Sequence, residues 1–342
     1  MRWLFWGAGA IGGTVAAHAI RAGHDVVLVD ANAAHVEAIR ARGLRITGPL
    51  AEFTVPATAL TPDEVTGEWR AVLLCTKAHH TRQAAEQIAA RLAADGYVAS
   101  LQNGLNEHVI AEVVGRERTV GAFVNFSADV LEPGVIHFGG RGAFVLGELD
   151  GRITPRLEEL RDLVAAFDPQ VEVTDEIWAY LWGKLGYGIM LFASALTNAS
   201  IVEALEAPDA QPVHAALAAE VLAVARAEGV TPRGFNGFDP EAFGPEGTEE
   251  ARRRSFAAMA GFNRLSAKTH SGVWRDLAVH RRKTEIDAQY GPVLAIAERR
   301  GIPMPLTRRL AELMHEIEDG RRPQDWANIR ELASALAASQ RA

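Results

Sequence analysis

Three glycines near the N-terminus have the spacing of a phosphate-binding turn. An apolar run leads directly into Gly7-Ala8-Gly9-Ala10-Ile11-Gly12. In such a turn Gly7 permits the tight bend, Gly9 lets the backbone approach a pyrophosphate, and Gly12 lets the following helix pack close to the strand. The N–H groups at the start of that helix, at Ala10 and Ile11, then face the phosphates. The pattern predicts a dinucleotide site, with a plain strand-turn-helix as the alternative.

An acidic residue follows the second strand candidate. Residues 25–29 form an apolar run that ends in Asp30. A carboxylate at this place accepts hydrogen bonds from the adenosine ribose and repels a 2′-phosphate, so it favours NAD over NADP. Arg40 and Arg42 leave NADP open, because either guanidinium could bind a phosphate. The structural alternative for Asp30 is a helix N-cap, alone or together with Asn32.

Two further polar residues follow later strand candidates. Lys77 comes after the apolar run 71–76, and Asn103 comes after residues 98–102. In open α/β sheets ligands bind outside the carboxyl ends of the strands, so both positions suit a bound nicotinamide. Taken separately, Lys77 would be a solvated loop cation and Asn103 part of an ordinary turn.

The elements that would position these groups alternate between strand and helix over residues 1–175. This alternation predicts an α/β fold, namely a Rossmann-type domain with a parallel sheet. Short apolar runs separated by glycines after residue 126 predict an antiparallel extension of that sheet. Helical periodicity then continues to the end, so residues 176–342 are predicted to form an all-helical C-terminal domain for substrate binding and catalysis. Within it, residues 231–248 are rich in Gly, Pro and Phe and are predicted to be a surface loop.

Composition excludes several classes of protein. The chain has 342 residues, of which 48% are hydrophobic and 23% charged, as in ordinary globular proteins. Its net charge of -8 provides no basic excess to neutralise phosphates, which argues against a nucleic-acid partner. The long apolar stretch 177–201 contains Lys184 and several glycines, which favours a buried helix over a membrane span. A small molecule is therefore the expected partner, and no metal site is expected.

The single cysteine, Cys75, lies inside an apolar run and is predicted to be a buried structural residue. One cysteine forms no internal disulfide, so a reducing compartment is expected. The strand that leads into the glycine pattern begins at residue 2, so we expect no targeting segment before it. We therefore predict a cytoplasmic protein.

Several motifs, taken in chain order, resemble those of the ketopantoate reductases (2-dehydropantoate 2-reductases). They are the N-terminal glycine run, Thr76-Lys77-Ala78, Gln102-Asn103-Gly104, Trp182-Gly183-Lys184-Leu185, Thr284-Glu285-Ile286-Asp287 and Arg300-Gly301-Ile302-Pro303-Met304-Pro305. The resemblance covers nearly the whole chain. It implies an NAD(P)H-dependent oxidoreductase acting in pantothenate biosynthesis, with a Rossmann domain and a helical domain. A homodimer through the helical domain is a further expectation.

The resemblance also implies roles for individual residues. Lys184 matches the family's catalytic lysine, a general acid that protonates the carbonyl oxygen as hydride reaches the carbon. A cation there stabilises the negative charge that develops on oxygen, and a lysine in an apolar helix is paired, snorkelled or functional. Glu285 matches the active-site glutamate, although it could be a solvated helix residue. Asn103 matches the asparagine near substrate and nicotinamide ribose, and Lys77 matches the lysine along the cofactor.

The chain departs from the family where substrate is held. Gly188 and Phe192, one and two turns after Lys184, replace two asparagines by space and an aromatic ring. Gly272 replaces a serine that helps to hold the substrate carboxylate, with Ser271 adjacent to it. A site that loses such partners loses about 10⁴-fold in rate on the polar substrate. We therefore expect a bulkier or less polar carbonyl or imine than ketopantoate as the best substrate.

Two smaller departures concern the cofactor and a connecting segment. Ala31 stands where NADP-binding members have an arginine, which again favours NAD. The segment from Asp276 to Glu285 is one residue longer than in the family.

Two other functions remain open at this point. Imine reduction, or the oxidation of an alcohol or amine, would use the same architecture. A non-catalytic Rossmann protein that senses cofactor would not need an acid, and the presence of Lys184, Asn103 and Glu285 together speaks against it.

Overall fold

A computed structural model describes residues 1–266 and 268–339 of the chain. It divides into two compact units between Ile177 and Trp178. The boundary predicted from the sequence, between residues 175 and 176, lies two residues before this division.

The first unit alternates strands and helices, as predicted. Its strands are β1 (Arg2–Trp6), β2 (Asp25–Val29), β3 (Leu44–Thr47), β4 (Phe53–Val55), β5 (Thr58–Leu60), β6 (Trp69–Leu74), β7 (Leu92–Ser100), β8 (Thr119–Glu132), β9 (Val135–Glu148) and β10 (Glu172–Val173). Its α-helices are α1 (Ala10–Arg21), α2 (Ala33–Arg42), α3 (Thr81–Ala89), α4 (Asn106–Val114) and α5 (Pro155–Ala165).

The strands form one mostly parallel sheet. Their order is β4-β3-β9-β8-β7-β6-β1-β2-β5, and β10 pairs with β9. The central strands are apolar on both faces because helices cover both, so alternate residues such as Phe5 and Leu4 enter two separate cores. The predicted antiparallel extension is confirmed as the β8–β9 hairpin. The carboxyl ends of β1, β2, β6 and β7 meet at one edge, where the predicted cofactor residues lie.

The regular elements of the second unit, over its described residues, are helices, with one isolated bridge between Phe235 and Phe238. The α-helices are α6 (Ile177–Ala195), α7 (Ile201–Glu206), α8 (Gln211–Ala227), α9 (Glu249–Arg264), α10 (Gly272–Ala278), α11 (Ile286–Arg300), α12 (Pro305–Glu318) and α13 (Trp326–Ser339). The two-part architecture predicted from the sequence, a Rossmann-type sheet followed by a helical part, is confirmed. None of the described helices combines the length and apolarity needed to cross a bilayer.

The prediction of a surface loop over residues 231–248 is wrong in one respect. Phe238 and Phe243 of this segment are buried and stack on each other, with ring centroids 5.4 Å apart. They pack with Phe256 of α9 in the core of the second unit. The sequence does not predict the burial of these rings, because aromatic residues in irregular backbone have no helical or strand period that would indicate it.

The last shared motif, Arg300-Gly301-Ile302-Pro303-Met304-Pro305, connects α11 to α12. Gly301 ends α11 in a left-handed conformation (φ 67°), and Pro305 occupies the first turn of α12. The carboxylate of Glu220, on α8, accepts hydrogen bonds from the N–H groups of Leu306 and Thr307 at 2.9 and 2.8 Å. The motif is therefore structural here.

One histidine lies in the core of the second unit. His214 on α8 is fully buried, and neither ring nitrogen has a hydrogen-bond partner among the described residues. Burial lowers the pKa of His214 to about 4 from its ordinary value of 6.5. The ring is therefore neutral in the folded protein at neutral pH.

The depressed pKa of His214 predicts a loss of stability in mild acid. Below pH 6.5 the unfolded chain takes up the proton first, so the free energy of unfolding falls as pH drops towards about 4, by roughly 3 kcal/mol in full. Urea unfolding between pH 7 and pH 4 measures this slope. His214→Leu should remove that part of the slope without reducing stability at pH 7, and equal slopes for both proteins would contradict the prediction.

Candidate active site

The glycine turn between β1 and α1 has the predicted geometry. Gly7 has a φ of 111°, a conformation that L side chains rarely adopt, and its N–H donates to the carbonyl of Val29 at 2.7 Å. A Cβ on Gly12 would lie 2.7 Å from the Cβ of Cys75, which follows β6 directly. Gly12 is therefore required for α1 to pack against the end of β6.

Cys75 follows β6 and is partly buried, so the prediction of a buried strand residue holds in part. Its Sγ donates a hydrogen bond to the Leu73 carbonyl at 3.5 Å, and burial raises the pKa of the thiol. Because the thiolate is the nucleophilic form of cysteine, such a thiol is unreactive.

Gly9 differs from the other two glycines of the turn. A Cβ at Gly9 would meet no atom of the described residues within 4 Å, so protein packing does not require a glycine there. Gly9 is the N-cap of α1 and supplies no capping side chain, and the first turn contains no acidic residue. The N–H groups of Ala10 and Ile11 have no carbonyl four residues back within the helix. These features fit the pyrophosphate of a dinucleotide.

Asp30 holds the glycine turn. Its two carboxylate oxygens accept hydrogen bonds from the N–H groups of Ala8 and Asn32, each at 2.9 Å. The N-cap of α2 is Asn32, whose side chain accepts from the N–H groups of Ala34 and His35, so Asp30 does not cap the helix alone. The alternative that it acts together with Asn32 holds to the extent that Asp30 binds the Asn32 N–H. Each Asp30 oxygen retains a lone pair that a ribose hydroxyl can use.

Arg40 and Arg42, the two arginines that could bind the 2′-phosphate of NADP, have other partners in the structure. Arg40 donates from Nε to the Ala59 carbonyl at 2.8 Å and pairs with the Glu64 carboxylate. The Thr61 N–H, together with Arg40, lowers the pKa of Glu64 to about 2. Arg42 donates to the Pro133 carbonyl at 3.4 Å.

A buried glutamine joins the loops after β6 and β7. Lys77 and Asn103 are exposed at these strand ends. Gln102 donates from Nε2 to the Thr76 carbonyl at 2.9 Å, and Asn106 donates from Nδ2 to the Asn103 carbonyl at 2.6 Å. The adjacent loops that carry Lys77 and Asn103 are thereby fixed at one edge of the sheet.

In the second unit Lys184 lies in the middle of α6 and is partly buried. A Cβ on the preceding Gly183 would overlap the Arg233 carbonyl oxygen. The N–H of Arg233 donates to the Ala179 carbonyl at 2.9 Å, so the irregular segment after α8 packs against the turn that carries Lys184.

The space expected at Gly188 is filled by a residue that the sequence reading missed. A Cβ on Gly188 would lie 2.9 Å from the hydroxyl oxygen of Tyr290, on α11. That hydroxyl donates to the Leu185 carbonyl at 2.8 Å. Phe192 is only 2% exposed and packs edge-on against Tyr290, with ring centroids 5.4 Å apart. The expectation of space at residue 188 is wrong, and an aromatic pair occupies the region.

Glu285 stands at the start of α11 and is 7% exposed, unlike the charged residues 281–283 before it. The interpretation as a solvated helix residue is therefore wrong. Its neighbour Thr284 donates from the backbone N–H and from Oγ1 to Glu318, at 2.8 and 2.6 Å. On the other side Asp287 pairs with His315 at 2.9 Å. The residues around Glu285 in the shared motif thus anchor it.

Ser271 has a structural partner. It is the N-cap of α10, and its Oγ accepts a hydrogen bond from the Trp274 N–H at 3.1 Å. A Cβ on Gly272 would meet no described atom within 4 Å, so that position is open. The longer segment that follows folds back on Asp276, which accepts from Nε and Nη2 of Arg282 at 2.8 and 2.6 Å. Over residues 1–266 and 268–339, no cluster of His, Cys, Asp and Glu could hold a metal ion.

Comparison with known proteins supplies the family. The model described as Ketopantoate reductase PanE/ApbA matches residues 3–151, and its C-terminal counterpart matches residues 176–318. The 2-dehydropantoate 2-reductase of Halobacterium salinarum is 27% identical over 318 residues, which cover 92% of this chain and 98% of that protein. The enzyme of the same description from Mesorhizobium japonicum is 32% identical over 227 residues, or 59% and 70% of the two chains.

Solved structures agree with this assignment. A PanE/ApbA family ketopantoate reductase from Ralstonia eutropha has a TM-score of 0.79 at 29% identity, over 94% of this chain and 99% of that one. D-mandelate dehydrogenase, solved with NADH and anilino(oxo)acetate, has a TM-score of 0.81 at 22% identity with the same coverage, which shows a shared fold. The chain belongs to the ketopantoate reductase family of oxidoreductases.

Proposed function

We propose that the chain is an NADH-dependent reductase of a 2-oxo acid, in which Lys184 is the general acid. The observation that carries this proposal is the placement of Lys184 in the middle of the apolar helix α6, in the same unit as the buried Glu285. A lysine ammonium on an apolar helix is a cation at a fixed place, as proton transfer to a carbonyl oxygen requires, and the family is one of oxidoreductases.

The first unit would hold the cofactor. The N–H groups of Gly9, Ala10 and Ile11 bind the phosphates, and Asp30 accepts hydrogen bonds from the ribose hydroxyls. Lys77 and Asn103 bind towards the nicotinamide end. When bound, the reduced nicotinamide supplies a hydride to the carbonyl carbon.

The second unit would supply the proton. Negative charge develops on the carbonyl oxygen as the bond to carbon forms, and the Lys184 ammonium stabilises that charge more in the transition state than in the ground state. Lys184 then transfers its proton to the oxygen, which gives the hydroxyl of the product. Glu285 would accept a hydrogen bond from the hydroxyl that this transfer forms, because the 2-oxo acid group itself offers no donor.

Replacement of the acid tests this role. Lys184→Ala should lower kcat by ~100-fold or more, because the proton donor is lost, while the affinity for NADH stays unchanged. Steady-state kinetics and NADH titration measure the two effects. Lys283→Ala, at an exposed lysine, is the matched control and should keep full turnover. A cofactor-sensing protein would show no turnover to lose, and full activity in Lys184→Ala would refute the role.

Cofactor preference follows from Asp30. Its carboxylate would repel a 2′-phosphate, and Arg40 and Arg42 are engaged with other groups. We expect a lower KM for NADH than for NADPH. Asp30→Asn should shift the ratio of kcat/KM values towards NADPH by about tenfold, or ~1.4 kcal/mol, as one partly screened charge is removed. Asp25→Asn, at the opposite end of β2, should leave the ratio unchanged, and a strong NADPH preference of the natural chain would overturn the assignment.

Substrate choice follows from the aromatic pair at the site of the missing asparagines. Gly188 and Phe192 offer no amide, and the Tyr290 hydroxyl is already committed to the Leu185 carbonyl. Without those amides the hydroxyl of ketopantoate would lack a partner, so a 2-oxo acid without that hydroxyl, such as phenylglyoxylate, is the better substrate.

A substrate panel tests this preference. We expect kcat/KM for phenylglyoxylate to exceed that for ketopantoate by at least ~100-fold, because an unpaired polar group is costly in a site without matching partners. NADH consumption with a series of 2-oxo acids, ketones and imines gives the ranking. Ketopantoate turnover equal to or faster than that of the aromatic acid would contradict the proposal, and faster turnover of an imine would redirect it to imine reduction.

A further inference from the structure

A buried histidine beside the glycine turn has two backbone partners. His35 on α2 is 3% exposed. Its Nδ1 accepts a hydrogen bond from the Gly134 N–H at 3.0 Å, and its Nε2 lies 3.0 Å from the Ala8 carbonyl oxygen. A backbone N–H only donates and a carbonyl only accepts, so the ring must carry its proton on Nε2 and donate it to Ala8.

His35 and Asp30 together fix the backbone on both sides of Ala8. The Ala8 N–H is bound by Asp30 and the Ala8 carbonyl by His35, and Ala8 itself is buried. In a trans peptide the carbonyl and the following N–H point in opposite directions. The hydrogen bond from His35 therefore turns the Gly9 N–H away from α2, at the N-terminus of α1.

His35 also connects the glycine turn to the β8–β9 hairpin. The turn of that hairpin, Pro133-Gly134, is held by its own neighbours: the Arg45 N–H donates to the Gly134 carbonyl at 2.9 Å, and Arg42 donates to the Pro133 carbonyl at 3.4 Å. The position of the His35 ring is therefore fixed by the hairpin turn. If the Ala8 peptide rotated, the ring could not move with it without losing the hydrogen bond from Gly134.

We propose that His35 is a positioning residue for the cofactor, which holds the Ala8–Gly9 peptide so that the Gly9 N–H faces the pyrophosphate. Binding then requires no rotation of this peptide, which lowers the cost of ordering the turn. The proposal rests on the dinucleotide part of the proposed function and is independent of the substrate.

Three variants of His35 separate its two hydrogen bonds. His35→Phe keeps a ring of similar volume and removes both bonds. His35→Gln offers a donor and an acceptor side by side, as the imidazole does. His35→Asn retains an acceptor near the place of Nδ1 but is too short to reach Ala8. Arg42→Ala is the matched control, because it loosens the same hairpin turn without touching Ala8.

The readouts are the Kd for NADH from quenching of tryptophan fluorescence, the kinetic constants, and the midpoint of urea unfolding. His35→Phe and His35→Asn should raise the Kd for NADH by about tenfold, which corresponds to ~1.4 kcal/mol, the size of one buried hydrogen bond. The Kd for ADP-ribose, which contains the same pyrophosphate, should rise by the same factor. The KM for the carbonyl substrate should not change, and His35→Gln and Arg42→Ala should bind NADH within about threefold of the natural chain.

Stability and binding are expected to separate. His35→Asn keeps the hairpin bond and should unfold at a higher urea concentration than His35→Phe, yet bind NADH as weakly. Unchanged NADH affinity in His35→Asn would overturn the proposal. This test remains valid if His35→Phe does not fold. A natural chain that binds NADH but reduces no 2-oxo acid would refute the proposed function, while the binding comparison would still decide the role of His35.

Discussion

The first unit depends on the close approach of α1 to the end of β6. Gly12 makes this approach possible, because any side chain there would collide with Cys75. Around the same point the Gly7 N–H donates to Val29 and the Cys75 N–H donates to Trp6, so the ends of β1, β2 and β6 meet at the glycine turn. The helix N-terminus is thereby held beside the sheet edge, with its N–H groups directed outward. An anion bound at this place would be held by backbone N–H groups, with little required of the side chains.

The second unit uses close approach for a different purpose. Gly183 admits the backbone of Arg233 and Gly188 admits the hydroxyl of Tyr290, so α6 is enclosed on both sides of the turn that carries Lys184. Packing of this kind restricts the helix that bears Lys184 and leaves its side chain partly accessible. An asparagine at residue 188 would collide with Tyr290. Tyr290 in its present position is therefore compatible with a glycine at residue 188 and not with an asparagine.

Sequence predicts the features that depend on local patterns. The strand ends, the glycine turn and Asp30 could be located because spacing and hydrophobic period act over a few residues. Tyr290 and His35 could not, since their partners Leu185 and Gly134 lie 105 and 99 residues away. No local signal marks which polar residue will bridge such a distance. Gly188 shows the consequence, because a glycine in the sequence predicts open space, whereas the Tyr290 hydroxyl occupies that space.

The two units differ in how freely they can change. At the glycine turn the constraints overlap: Gly12 contacts Cys75, while the backbone on either side of Ala8 is bound by Asp30 and His35. A substitution there disturbs several contacts of the fold at once. In the second unit the aromatic pair joins α6 to α11 through one edge-on ring contact and one hydrogen bond to the Leu185 carbonyl. Cores tolerate the exchange of apolar side chains as long as the total volume is kept. The side chains of this pair are therefore easier to replace than the glycine turn, where one substitution disturbs several contacts.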